Sequence, residues 1–115
     1  MTLTLWHNPR CTKSRAALAL LQDRGLHPSV RLYLDDPPSV AELAGALSLL
    51  GRPARDLLRW SEPEAKSLSP DAPDAELIAA MAAHPRLIER PLLISDRAAA
   101  IGRPTEALLP LLPAP

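Results

Sequence analysis

Apolar and polar residues alternate at the start of the chain, and residues 2–6 read as a first strand that ends on Trp6. The apolar-rich stretch Ala16-Ala17-Leu18-Ala19-Leu20-Leu21 then predicts a helix over roughly 12–24, stopped by Gly25. Alternation returns in Ser29-Val30-Arg31-Leu32-Tyr33-Leu34, a second strand, so the opening third is a βαβ unit with parallel strands. Asp35-Asp36-Pro37-Pro38 breaks that strand. Ser39-Val40-Ala41-Glu42 has the form of a capping box, opening a helix with Leu43, Leu47 and Leu50 on one face and Gly51 at its end. A short helix is expected over Pro53 to Arg59, and a loop with one helical turn over Trp60 to Ala72. Pro73 begins a helix carrying Leu77, Ile78 and Met81, which His84-Pro85 ends. Pro91-Leu92-Leu93-Ile94 and Ala99-Ala100-Ile101 flank Ser95-Asp96-Arg97, the pattern of a hairpin with a loose turn. Pro104 opens a last helix with Ala107, Leu108, Leu111 and Leu112 facing inward, and the tail Pro113-Ala114-Pro115 is expected to fray.

The resulting order is βαβ, a helical block over about 39–88, then ββα. This is an α/β layout of thioredoxin type: a mixed sheet with an inserted helical segment. At 115 residues it is expected to be one domain spanning 1–115. Apolar residues make up 47% and charged residues 23%, and no apolar run approaches the ~20 residues of a membrane span, so no membrane partner is expected. The N-terminus lacks a basic segment followed by an apolar one, which places the protein in the cytoplasm by expectation. Thirteen basic residues balance thirteen acidic ones, leaving no general field to attract nucleic acid. Eleven of the thirteen are arginines, the side chain suited to bidentate recognition of oxyanions.

The single cysteine, Cys11, excludes an intramolecular disulfide and a multi-cysteine metal site. It falls in the turn His7-Asn8-Pro9-Arg10-Cys11, at the start of the first helix, where unpaired N–H groups and the helix dipole favour thiolate. A free thiol is only ~3% ionised at pH 7, and making it mostly thiolate takes ~2.7 kcal/mol, of which the dipole supplies ~0.3–1. Further help is therefore required. His7 and nearby arginines are candidate positive charges, and the Ser14 hydroxyl, one turn along, is a candidate donor to the sulfur. Ser14 also stands where a Cys-x-x-Cys motif has its second thiol, so any redox cycle needs an outside thiol.

Taken together, these residues resemble the glutaredoxin-coupled arsenate reductases. The likeness rests on His7-Asn8-Pro9-x-Cys11-x-x-Ser14-Arg15, Tyr33-Leu34-Asp35-Asp36-Pro37-Pro38, Leu57-Leu58-Arg59, His84-Pro85 with Leu87-Ile88-Glu89-Arg90-Pro91, and Gly102-Arg103-Pro104, in that order. The resemblance implies a thiol enzyme with no bound cofactor. Cys11 would attack the arsenic of arsenate, glutathione would serve as co-substrate, and glutaredoxin would reduce the resulting mixed disulfide. It assigns Arg59, Arg90 and Arg103 to an oxyanion cradle, His7 to lowering the thiol pKa, and Ser14 to bonding the sulfur. It also implies a cis bond before Pro91. Arg10, Thr12 and Lys13 replace the small residues that flank the cysteine in the best-studied branch of that family. Two other readings share the fold: an Spx-type regulator that binds RNA polymerase, and a glutathione-linked thiol enzyme for another substrate. Many such regulators carry a Cys-x-x-Cys switch, which Ser14 removes here.

Overall fold

The computed structural model describes residues 2–113. Its centre is a four-stranded sheet in the order β2-β1-β3-β4, built from β1 (Leu3–Trp6), β2 (Ser29–Arg31), β3 (Leu92–Ser95) and β4 (Ala99–Ile101). β1 pairs parallel with β2 and antiparallel with β3, and β3 pairs antiparallel with β4. The helices are α1 (Thr12–Asp23), α2 (Val40–Leu50) and α3 (Asp74–Ala83).

The two-residue period of the strands divides the apolar residues between the two faces of the sheet. Leu5 lies opposite Leu93, and both pack with Ala17 and Leu21 of α1 and with Leu108 and Leu112. Trp6 lies opposite Leu92, and both face Leu43 and Leu47 of α2, Leu77 and Met81 of α3, and Leu57, Leu58, Leu87 and Ile88. The 39–88 block therefore covers one face, while α1 and the C-terminal segment cover the other.

The Ser39 capping box forms in full: the Ser39 hydroxyl accepts from the Glu42 N–H at 3.1 Å, and the Glu42 carboxylate accepts from the Ser39 N–H at 3.0 Å. Gly51 closes α2 in the left-handed region, at φ 69°. The β3–β4 hairpin turns on Ser95, whose hydroxyl accepts from the N–H groups of Arg97 (3.2 Å) and Ala98 (3.0 Å).

Three expected elements differ from their sequence reading. The second strand stops at Arg31 and does not reach Leu34, because its partner β1 ends at Trp6, which pairs with Arg31. The chain then turns, with the N–H groups of Asp35 and Asp36 both donating to the Leu32 carbonyl. The expected Pro53–Arg59 helix is a 3₁₀ turn over Ala54–Asp56, since Leu58 goes extended to form a bridge with Ile88. The last helix is a 3₁₀ segment over Thr105–Leu111 containing Pro110, which has no N–H to donate and whose ring would clash with an α-helical carbonyl. The loop after Trp60 holds its single helical turn at Pro63–Ser67. Ala114 and Pro115, in the tail expected to fray, lie outside the described residues.

Candidate active site around Cys11

Cys11 is the N-cap of α1 and has extended backbone angles (φ −96°, ψ 124°). Its N–H donates to the Asn8 carbonyl at 3.0 Å, which holds the thiol at the mouth of the helix, half-buried and free. Burial pushes the thiol pKa up. Against this act the backbone N–H of Ser14, the charge of Arg90, the backbone N–H of Lys13 and the charge of Arg103, and together they bring the thiol below its ordinary value.

His7 and Ser14 reach the thiol by a different route from the one the sequence implies. His7 is buried at the end of β1, and its Nδ1 lies 2.6 Å from the Ser14 hydroxyl oxygen. That oxygen also accepts from the Asn8 N–H at 3.0 Å, so we assign the hydroxyl proton to the bond with Nδ1. Burial, and then the charge of Arg15, lower the His7 pKa below 6.5, so the ring is neutral at pH 7 and supplies no cation to the sulfur. The Ser14 side chain is turned toward His7 and Asn8 instead of Cys11, and what Ser14 gives the sulfur is its main-chain N–H. The pair fixes the loop that aims those N–H groups.

Of the three arginines, two are brought to the thiol. Arg103 Nη2 donates to Cys11 Sγ at 3.6 Å, and Arg103 Nε donates to the Arg90 carbonyl at 2.7 Å. The charge of Arg90 also bears on Cys11, and its buried Nε has no hydrogen-bond partner among the described residues. Both arginines precede prolines in cis peptide bonds; the sequence pointed to the one at Pro91 and gave no sign of the one at Pro104. Arg59 is not among the charges acting on Cys11. It pairs with Glu62 at 2.9 Å and makes itself felt at the Tyr33 hydroxyl. Its place is set by the Leu58–Ile88 bridge, with the Arg59 N–H donating to the Leu87 carbonyl and the Glu89 N–H to the Leu57 carbonyl, each at 2.7 Å.

Tyr33 and Glu89 stand in the site although sequence reasoning gave neither a role. Tyr33 is buried, which pushes its hydroxyl up to about 12 against the opposing charges of Arg90 and Arg59; Cys11 and Glu89 raise it further. It therefore remains a neutral donor at any ordinary pH. Glu89 Oε1 lies 3.0 Å from Arg90 Nη1 and 3.1 Å from Arg103 Nε. Both residues belong to the motifs quoted above, Tyr33 opening its segment and Glu89 standing directly before Arg90.

Among the described residues, no group of three His, Cys, Asp or Glu side chains is placed to hold a metal ion, and no helix is long and apolar enough to cross a membrane.

A mixed sheet of this topology, with one cysteine capping the first helix and arginines gathered at its thiol, defines a thioredoxin-like thiol protein. The comparisons with known proteins narrow the class. The family model described as "ArsC family" matches residues 6–111. An arsenate reductase of Neisseria meningitidis serogroup A is 44% identical over 108 residues, covering 90% of this chain and 92% of that protein. One of Haemophilus influenzae is 42% identical over 116 residues, covering 97% of this chain and 100% of that protein. The structure of an arsenate reductase from Vibrio cholerae superposes with a TM-score of 0.92 at 42% identity, covering 97% of this chain and 98% of that one. The chain belongs to the ArsC family.

Proposed function

We propose that this protein is an oxidoreductase that reduces arsenate to arsenite, with Cys11 as its only nucleophile and with glutathione and glutaredoxin as electron donors. The observation that carries this reading is the gathering of Arg90 and Arg103 at the thiol: Arg103 donates to the sulfur, and Arg90, whose charge bears on it, keeps a buried Nε–H without a hydrogen-bond partner among the described residues. A thiolate and an arsenate anion repel each other, so attack requires fixed positive charge where both arrive. Relatives called arsenate reductases support the same substrate.

In the first step the Cys11 thiolate attacks arsenic, an S–As bond forms, and the As–O bond to a hydroxyl of arsenate breaks as that hydroxyl takes a proton from solvent and leaves as water. A glutathione thiolate then attacks the Cys11 sulfur. The S–S bond forms as the S–As bond breaks, and the electron pair of that bond stays on arsenic, which departs as As(III) in arsenite. A glutaredoxin thiol attacks the glutathione sulfur of the mixed disulfide and releases the Cys11 thiolate. Ser14 in place of a second cysteine is consistent with this dependence on outside thiols. The deciding experiment measures arsenite formed from arsenate with glutathione and glutaredoxin. Turnover by the wild type and none by Cys11→Ser is the expected result, and no arsenite from the wild type would turn the reading toward a regulator.

A further inference from the structure

Glu89 is a carboxylate set inside a site meant for an anion. Its Oε1 lies 3.0 Å from Arg90 Nη1 and 3.1 Å from Arg103 Nε, the two arginines that bear on Cys11. It accepts from its neighbour's backbone as well, with the Arg90 N–H at 3.3 Å. Its second oxygen, Oε2, accepts no hydrogen bond among the described residues. The Glu89 charge is felt at the Tyr33 hydroxyl together with those of Arg59, Arg90 and Cys11, so the carboxylate belongs to the same cluster. Its backbone is held independently of the side chain by the 2.7 Å bond from the Glu89 N–H to the Leu57 carbonyl.

An anion seated on these guanidinium groups meets a carboxylate that only accepts hydrogen bonds. A fully ionised oxyanion places lone pair against lone pair there and leaves both unpaired. An oxyanion that carries a hydroxyl turns the same contact into a charge-assisted hydrogen bond. We propose that Glu89 makes the site selective for tetrahedral oxyanions that carry a proton, hydrogen arsenate and hydrogen phosphate, against sulfate, which carries none at neutral pH. The inference rests on the oxyanion reading above and names the residue that sets its specificity.

Protection of Cys11 from a neutral alkylating agent, measured against arsenate, phosphate and sulfate at constant ionic strength, tests it. In the wild type, phosphate and arsenate protect at concentrations about tenfold or more below sulfate. In Glu89→Gln the amide offers N–H groups to an unprotonated oxygen, and the gap between sulfate and phosphate closes, mainly through tighter sulfate binding. Glu89→Ala closes it partway, and thermal melts of both variants report that the fold is kept. Equal protection by sulfate and phosphate in the wild type, or an unchanged gap in a folded Glu89→Gln, overturns the role of Glu89 while leaving the oxyanion site in place. Absence of protection by every anion removes the site itself and this inference with it.

Discussion

At Cys11 the balance between burial and charge decides the chemistry. Two backbone N–H groups and two guanidinium charges outweigh the desolvation that would otherwise keep the thiol protonated. The rate of Cys11 alkylation against pH should therefore show a midpoint below that of an ordinary free thiol, and Arg103→Ala should move it upward. Arg97, exposed in the β3–β4 turn, is the control: Arg97→Ala should leave the midpoint where it is. The His7–Ser14 pair has a separate signature. Because the folded protein holds His7 below 6.5, the unfolded chain binds more protons as pH falls through that value, so unfolding becomes easier on acidification. Melts between pH 7 and pH 5 should show stability declining, and His7→Gln should flatten that decline. Ser14→Ala leaves the Asn8 N–H and His7 Nδ1 without their partner and should cost about 1–3 kcal/mol, read from denaturant unfolding.

Among the elements, the junction of β4 with the C-terminal segment is closely packed. Gly102 is buried, its N–H donates to the Pro91 carbonyl at 2.9 Å, and a Cβ there would stand 2.8 Å from Pro91 Cγ and 3.3 Å from Leu108 Cδ1. The proline ring can change its pucker but cannot swing aside as a flexible side chain would. Gly102→Ala should destabilise the protein by about 1–3 kcal/mol, as overpacking does. It should also carry Arg103 away from the sulfur, so a lower melting temperature and a higher alkylation midpoint should appear together. The turn after β2 is held otherwise. Arg31 pairs with the Glu42 carboxylate, donates to the carbonyls of Asp36 (3.0 Å) and Pro37 (3.1 Å), and lies 5.8 Å from the Trp6 ring centroid. The Arg31 guanidinium, then the Ser39 backbone N–H, bring Glu42 down to about 2. The stabilisation from Glu42 is thus present above pH 4.5 and is lost as pH falls toward 2. The pair is largely solvent-exposed on the Glu42 side, so Glu42→Gln should cost less than ~1 kcal/mol, detectable as a reduced acid sensitivity of the melting temperature.

Across the whole molecule, the two cores meet at the sheet, and the site lies where elements from both converge. α1 on one face supplies Cys11, while the segments running to Arg59 and Arg90 come from the other. Filling the site should therefore stabilise the fold as a unit. At 100 times its dissociation constant an anion adds about 2.7 kcal/mol by mass action. Melting temperature should rise with phosphate, and the rise should shrink as an inert salt screens the arginines. No rise with phosphate at low ionic strength would count against an anion site.

The parts of the fold whose causes are local were legible from the residues alone. Strand alternation, the Ser39 capping box, the glycine stops at Gly25 and Gly51 and the turn before α1 are written within a few residues, and they placed Cys11 at a helix start. The ordered motifs carried the family, because several matches at long separation are specific where each alone is not. Whatever depends on which segments meet was settled only by packing. The end of β2 follows from where β1 stops, and the extended path at Leu58 from its bridge to Ile88. The same holds at the site. That Ser14 turns to His7 across the loop, and that Glu89 meets Arg103 from the far side of the β3–β4 hairpin, are matters of packing and charge between segments, to which no local pattern responds.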